Sequence, residues 1–437
     1  MEILLLCVRG ALLQQQKEEG KGGRVEGERA EKTTHHGPLT MDQGEEREEI
    51  AQLAGGADWE EVIGLARRHR VVPLVYRGLE NAAASQQSRS EAEALSLSKE
   101  GVRGQGSEGI RDALARLRVM YYSNLARNIR LTEELFRILD LFEEAGIKAI
   151  PIKGPALAIQ AYGDLSMRQF DDLDFLLRIE DMMPAGDILR TEGYTPRLDL
   201  PPAHMRKYLK SGQDWPFRND EAGISVDLNS VIVSHVLPQP FTVEELLSRL
   251  QSVPVPSDSP NPHTHTPTHP HTLPTLPPDD LFLILCIHGT HHAWERLTWL
   301  ADVTALVNAC VPDMSSVTQK ARKAGLQNTL SLPLVLADRL GIGSFTPPLP
   351  LGHPVHKVVP VCLRALIDKL PVSVLWSFQM RSLERTSDKL RFSLRRLFVP
   401  SVAEWQTISL PPALLPLYCL FRPLRLLFTF LRRLASR

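Results

Sequence analysis

The stretch Ile150–Arg178, IPIKGPALAIQAYGDLSMRQFDDLDFLLR, decides the expected fold. An apolar run over 147–152 ends at Lys153-Gly154-Pro155, a composition typical of a turn that opens a helix with proline in its first turn. A second apolar run, Leu173–Leu177, follows a polar loop. The pattern predicts a strand, a turn, a helix over Ala156–Tyr162, a loop and a second strand.

Two carboxylates stand at the start of the second predicted strand. Asp172 and Asp174 are two residues apart, so on a strand their side chains project from the same face. Adjacent carboxylates repel each other, and they are tolerated either in water or beside a divalent cation. Mg²⁺ prefers such hard oxygen ligands. Taken alone, the pair is a weak signal and is more typical of a solvated turn before a strand.

The surroundings of this pair favour a phosphate site. The turn at Gly154 opens a helix, and the N–H groups at a helix N-terminus attract phosphate. A third carboxylate, Asp227, lies in another strand-like run, Ile224–Leu228. This layout is the one that two-metal phosphoryl transfer requires. Asp172 and Asp174 would bridge two cations, and Asp227 would hold the cation that activates the attacking hydroxyl.

Several further side chains are candidates for ligand contacts. Lys153 and Arg168 are the cations available to bind phosphate, although a salt bridge from Arg168 to Asp171 or Asp172 is an alternative. Three histidines, His288, His291 and His292, lie on one predicted helix. His288 and His292 share a face and could bind zinc, but the glutamate of the HExxH pattern is missing, so packing near the cleft is the alternative.

Four blocks of sequence resemble the uncharacterised nucleotidyltransferase family, a branch of the polymerase-β-like superfamily. They are the stretch quoted above, Asp58–Leu79 (DWEEVIGLARRHRVVPLVYRGL), the ISVDLN strand at Ile224–Asn229, and Leu281–Val307 (LFLILCIHGTHHAWERLTWLADVTALV). The resemblance implies an α+β fold in which a short mixed sheet carries helices. It also implies NMP transfer from an NTP to an unidentified acceptor, with two Mg²⁺ ions (or Mn²⁺) and release of pyrophosphate.

The resemblance also assigns residues. It carries Asp172, Asp174 and Asp227 over as catalytic metal ligands and Gly154 as the phosphate-loop glycine. Pro155 stands where the wider superfamily has serine or glycine, which leaves Lys153 as the candidate phosphate contact. A catalytically inactive nucleotide-binding or regulatory module of the same fold is the alternative function. A factor in the assembly of surface glycans or lipid-linked molecules is a third.

The organisation of the whole chain follows from composition shifts. We expect a disordered or mispredicted extension at 1–48 (Met41 being an alternative start), helices with a Ser/Gln/Gly-rich loop insertion at 49–110, and the nucleotidyltransferase core at 111–250. A Pro/His/Thr-rich linker at 251–278, a helical domain at 279–345 and a basic helical region at 346–437 complete the prediction.

The charge and the cysteine content of the chain indicate which kinds of binding partner and which cellular compartment to expect. The 437 residues carry a net charge of −1, which gives no nucleic-acid signal. The part from Pro354 to the end is basic, with 14 Lys+Arg against 4 Asp+Glu. Its last helix could lie on anionic lipid, or it could pack on the domain with its arginines in water. Five scattered cysteines without CxxC spacing predict free thiols and a cytoplasmic location.

Overall fold

The computed structural model describes residues 1–22, 49–50, 52–96, 106–233, 237–255, 272–343, 345, 355–407 and 410–435. The α-helices are α1 Glu2–Gly22, α2 Trp59–His69, α3 Val72–Ser96, α4 Gly106–Glu144, α5 Gly154–Tyr162, α6 Met182–Thr191, α7 Pro202–Lys210, α8 Val243–Leu247, α9 Pro278–His291, α10 Leu297–Cys310, α11 Met314–Ala324, α12 Gln327–Arg339, α13 Val355–Ile367, α14 Val372–Ser382, α15 Thr386–Phe398, α16 Val402–Thr407 and α17 Tyr418–Ala435. The strands are β1 Ile150–Ile152, β2 Asp172–Leu176, β3 Thr195–Pro196, β4 Trp215–Asn219, β5 Ile224–Asn229, β6 Gln251–Pro254 and β7 Thr272–Thr275.

A small mixed sheet lies at the centre of the described fold. Its strand order is β1-β2-β5-β4-β3, and β2 and β5 run parallel while the other neighbours run antiparallel. One face of β2 and β5 packs into a core that includes Leu173, Phe175, Val226 and Leu228. Helices precede and follow the sheet, so the predicted α+β fold, with a short mixed sheet and N- and C-terminal helices, is confirmed.

Local sequence signals explain where the main helices begin and end. The carboxylate of Asp58 accepts a hydrogen bond from the amide of Glu61, which caps α2 as its position before the helix predicts. Gly146 follows α4 with a φ of 74°, a left-handed conformation that glycine adopts without a steric penalty. β4 and β5 form a hairpin, and the predicted helical domain at 279–345 contains the helices α9–α12.

The predicted disorder of the N-terminal extension is wrong for the residues that the structure describes there. Residues 2–22 form α1, and an apolar side of this helix that includes Leu4, Cys7 and Leu12 is buried against α3 and α10. The short run of leucines was too brief to indicate a helix without the partner surface that covers it. The remaining residues of the expected extension, 23–48, lie outside the described residues.

Gly78 provides a test of whether α1 is docked. A Cβ at this position of α3 would lie 2.7 Å from Cys7 Cα, which is closer than real contacts allow. We expect Gly78→Ala to lower the free energy of unfolding by about 1–3 kcal/mol, because α1 must shift to make room. Urea unfolding measures this change. A gain of up to about 1 kcal/mol, the normal result of Gly→Ala inside a helix, would show that α1 does not pack here.

Gly64 is the matched control for this test. It lies within α2, and a Cβ built there meets no atom within 4 Å. Gly64→Ala should therefore raise the free energy of unfolding by about 0.5–1 kcal/mol, because it only restricts the unfolded chain. The two substitutions are chemically identical and have opposite expected signs.

Two predicted loops also differ from the structure. The expected loop insertion at 81–109 is helical at 81–96, as part of α3, and again from Gly106 in α4. Its Ala, Gln and Glu residues form helices readily even without an apolar period, which explains the error. The expected linker at 251–278 is ordered at both ends, where β6 and β7 pair antiparallel. Residues 97–105 and 256–271 lie outside the described residues.

Two further features of the described chain are the state of its cysteines and the apolar character of its helices. All five cysteines lie in described segments and are free thiols. Within the parts of the chain that the structure describes, no helix combines the length and the apolar character that crossing a membrane requires.

Candidate functional site

The three predicted acidic residues meet on one face of the sheet. In the parallel pairing of β2 with β5, Asp174 is the direct register partner of Asp227, and Asp172 lies two residues before Asp174 on the same face. The alternating residues Leu173 and Val226 are buried in the core on the other face, whereas the carboxylates are only partly buried. Adjacent strands lie about 4.8 Å apart, so the carboxylates of Asp174 and Asp227 are neighbours.

These carboxylates line a cavity of about 480 Å³. The cavity lies between the open face of the sheet, the start of α5, and the α9–α10 region. It is large enough for a small-molecule ligand. All six residues that the sequence proposed for catalysis and nucleotide binding line it: Lys153, Gly154, Arg168, Asp172, Asp174 and Asp227.

The turn between β1 and α5 has an uncommon backbone. Lys153 has a φ of 63° and Gly154 a φ of 47°, and only glycine adopts such values easily. A non-glycine residue held there indicates strain that the surrounding structure maintains. The strained turn directs α5 so that its N-terminus borders the cavity, and Lys153 Nζ lies 3.4 Å from Asp174 Oδ2. The ammonium group thus offsets part of the acidic charge.

Crowding of carboxylates shifts their proton affinity. Burial, followed by the charges of Asp174 and Asp172, raises the pKa of Asp227 to about 7. Burial and Asp174 also raise the pKa of Asp172, while Lys153 and Arg70 act in the opposite direction. Both shifts mean that the ionised site is electrostatically unfavourable on its own and that added positive charge would stabilise it.

The raised pKa of Asp227 predicts a pH dependence of stability in metal-free protein. An unfolded aspartate titrates near pH 4, so between pH 4 and about pH 7 the folded state binds a proton that the unfolded state has lost. The free energy of unfolding should therefore fall as the pH rises through this window, by on the order of a few kcal/mol.

Asp227→Asn isolates this contribution. Relative to the wild type, the variant should gain stability between pH 4 and pH 7 in the presence of EDTA, because it no longer has to ionise. Urea unfolding at several pH values measures the difference. Asp220→Asn, at an exposed carboxylate, is the control and should follow the wild type. Parallel stability curves for Asp227→Asn and the wild type would contradict a buried, crowded carboxylate.

Arg168 has a different partner from the one that the sequence suggested. Its Nε and Nη2 donate to the two oxygens of Asp302 in α10, at 2.8 and 3.0 Å, and Tyr162 also donates to Asp302. The alternative salt bridge to Asp171 or Asp172 is therefore wrong. Asp171 instead pairs with Arg70 and Arg127. The partner, Asp302, is 134 residues away in sequence, and no local pattern indicates it.

The backbone around Arg168 is held by one face of α4. Asn128 donates to the carbonyls of Leu165 and Arg168, both at 2.7 Å, and Asn124 also donates to the Arg168 carbonyl. Arg127 donates to the carbonyl of Phe170. These contacts order the loop that leads into β2 and so set the position of Asp172.

The three histidines lie where the α9–α10 segment borders the cavity. Burial lowers the pKa of His288 well below its ordinary value, and it lowers those of His291 and His292 to about 4 and about 3 with help from neighbouring positive charge. The rings are therefore neutral at pH 7. The rings of His288 and His292 pack on each other and on Trp299, with centroids 4.9–5.2 Å apart. This arrangement is the predicted packing near the cleft.

Other residues that line the cavity were not identified from sequence. Asp214 precedes β4 and adds to the electrostatic shift of Asp227. The hairpin register pairs Trp215 with Leu228, and continuing it by one residue places Asp214 on the same face of the sheet as Asp227. The alternation of side chains along this hairpin is the signal that could have identified Asp214. Arg296 and Trp299, which form a cation–π pair, also line the cavity, but their sequence pattern is that of any helix start.

A family model identifies the family to which the chain belongs. The family model for "Uncharacterised nucleotidyltransferase" matches residues 55–341, more than half of the chain. The chain belongs to this nucleotidyltransferase family. Comparison with curated proteins and with solved structures finds no match. The matched range includes the cavity, its three carboxylates and the α9–α10 segment, so the family resemblance that the sequence suggested is confirmed.

Mg²⁺ is the metal that the family resemblance implies for the carboxylates of the cavity. Among the described residues, no three His, Cys, Asp or Glu side chains are grouped closely enough to hold a metal ion by themselves. Mg²⁺ is, however, usually bound through one or two carboxylates together with substrate phosphates and water. Neighbouring carboxylates with raised pKa values beside a helix N-terminus fit that mode of binding. The residues therefore suit Mg²⁺ that arrives with a nucleotide.

Proposed function

We propose that this chain transfers a nucleoside monophosphate from an NTP to an acceptor hydroxyl. The acceptor oxygen would form a bond to the α-phosphorus, the bond from that phosphorus to the β-phosphate oxygen would break, and pyrophosphate would leave. The proposal rests on the register that brings Asp174 beside Asp227, in a cavity bordered by the N-terminus of α5. Family membership supports nucleotidyl transfer as the class of reaction.

The residues of the chain have separable tasks in this proposal. Lys153 and the N-terminus of α5 at Gly154 would bind the triphosphate, through a point charge and backbone N–H groups. Asp227 would assist deprotonation of the acceptor hydroxyl through the cation that it helps to hold. Arg168, whose charge is paired with Asp302, would order the loop that leads into β2 at the wall of the cavity.

We propose that the metal ions bind at the carboxylates. Two Mg²⁺ ions, or Mn²⁺ in their place, would be held by Asp172, Asp174 and Asp227 and would neutralise charge on the triphosphate and at the attacking oxygen. The electrostatic crowding of these carboxylates is the feature that favours such binding.

Labelled nucleotides test the reaction class. The chain is incubated with Mg²⁺, an extract of small molecules and proteins as acceptors, and an NTP labelled at the α- or the γ-phosphate. Nucleotidyl transfer predicts acceptor labelled only from the α-phosphate, and γ-label released as pyrophosphate. Transfer of the γ-label would overturn the proposal in favour of a kinase. Nucleotide binding without release of pyrophosphate would instead favour the inactive regulatory module.

A further inference from the structure

The last helix, α17, presents an apolar face to solvent. Its exposed residues are 54–67% accessible and recur at spacings of four, three, one and three: Leu420, Leu424, Leu427, Phe428 and Leu431. We call these five residues the apolar stripe. A helix on the surface of a globular protein normally turns such a face towards the core. The stripe therefore lacks the burial that its composition favours.

The inner side of α17 buries Tyr418 and a charged contact of Arg422, and the charged contact explains this orientation. Arg422 is only 7% exposed; its Nε donates to the Arg396 carbonyl at 2.7 Å, and its guanidinium pairs with Glu404 at 3.5 Å. Glu404 is 2% exposed and also pairs with Arg425. Removing Arg422 would leave the buried carboxylate without one of its two cations, so α17 cannot rotate its leucines inwards without a large penalty. The sequence alternative with the arginines in water is wrong for Arg422.

The neighbouring helix α15 also presents apolar side chains to solvent. α15 packs against α17 and exposes Leu390, Leu394, Leu397 and Phe398, again at helical spacing. The described basic residues at these faces include Arg391, which is 68% exposed, and Arg432, which follows Phe428 by one helical turn. The segment 386–435 carries eight Lys+Arg against two Asp+Glu. Of these, Arg391, Arg425 and Arg432 are exposed, whereas both acidic residues, Asp388 and Glu404, are buried, so the exposed surface combines apolar side chains with positive charge.

We propose that the apolar stripe docks this protein on an anionic membrane surface, with α17 lying in the plane of the interface. Leucine and phenylalanine would enter the acyl boundary while the arginines meet lipid phosphates. Charge complementarity selects this occupant over a second copy of the chain, because two copies would bring like-charged surfaces together. No described helix can span a membrane, so the docking is peripheral. The proposal is independent of the proposed catalytic function.

Vesicle flotation with the full chain tests the docking surface. We expect binding to vesicles of phosphatidylcholine with about one third phosphatidylglycerol, and at least about tenfold weaker binding to phosphatidylcholine alone. The double variant Leu424→Glu/Phe428→Glu should reduce binding to the anionic vesicles by at least about tenfold, because it places carboxylates in the stripe. Both positions are exposed, so thermal unfolding of the variant should match the wild type.

A second double variant provides the control for added charge. Val119→Glu/Val311→Glu changes two residues that are 68% and 77% exposed elsewhere on the chain and alters the net charge equally. It should retain most of the binding to vesicles. Absence of wild-type binding, or equal losses in the two double variants, would overturn the proposal. Sedimentation equilibrium that shows a wild-type dimer abolished by Leu424→Glu/Phe428→Glu would also overturn it, in favour of self-association.

Discussion

Replacing Asp174 by asparagine is expected to reduce pyrophosphate release at least ~10³-fold, equivalent to about 4 kcal/mol of transition-state stabilisation. Asp174 lies at the centre of the site, because it neighbours Asp227 in register, contacts Lys153 and shares a face with Asp172. Asparagine keeps the size of the side chain but removes the charge that a cation needs. The measurement is the initial rate of pyrophosphate release from Mg²⁺·NTP.

The fold of the Asp174→Asn variant should be intact. Loss of one of several crowded carboxylates relieves repulsion with Asp172 and Asp227, so the melting temperature should stay within a few degrees of the wild type. Asp220→Asn, at a carboxylate that is 88% exposed in the β4–β5 turn, should keep wild-type turnover. Equal rates in wild type and Asp174→Asn would contradict catalysis by this site.

Asp302→Ala is expected to cause the largest loss of stability, about 3–5 kcal/mol in urea unfolding. Asp302 is fully buried, and it accepts hydrogen bonds from both Arg168 and Tyr162. Burial acts to lower the pKa of Arg168, and Asp302 outweighs it, so the pair is mutually dependent. Removing the carboxylate leaves a guanidinium in the interior without its counter-charge.

Tyr162→Phe is the graded control for this prediction. It removes one hydrogen bond to the same carboxylate and leaves the ion pair, so it should reduce the free energy of unfolding by only about 1 kcal/mol. If Asp302→Ala proved as mild as Tyr162→Phe, the ion pair would not be buried as described. The comparison also tests whether Arg168 is positioned mainly through α10.

The parts of the fold that were predictable are those with local signals. Asp58 caps α2, Gly146 ends α4, and a five-residue glycine-containing turn joins β4 to β5; each of these depends on residues only a few positions apart. The helix α1 was not predictable, because its apolar run is short and becomes informative only against α3. The apolar stripe of α17 faces solvent, whereas a surface helix normally turns its apolar face towards the core. This orientation depends on the buried Glu404.

In the candidate site too, the residues with a local sequence signal were predictable, and the contacts between residues far apart in sequence were not. The alternation of Asp172 and Asp174 and the strand that carries Asp227 could be recognised from sequence, and the structure places the three on one face of the sheet, where they line one cavity. The parallel pairing of β2 with β5 joins residues more than 50 positions apart, and no local pattern specifies it. The partner of Arg168 and the asparagines of α4 that hold its loop were missed for the same reason.

Counting bound Mn²⁺ by electron paramagnetic resonance tests the central hypothesis without knowledge of the acceptor. The chain is titrated in the presence of an NTP with a methylene group between its α- and β-phosphates, which cannot release pyrophosphate. The proposed binding of cations together with the nucleotide predicts two Mn²⁺ ions per chain in the wild type and fewer in Asp174→Asn, while Asp220→Asn behaves as the wild type. Equal Mn²⁺ binding by the wild type and Asp174→Asn, or none by either, would contradict the site.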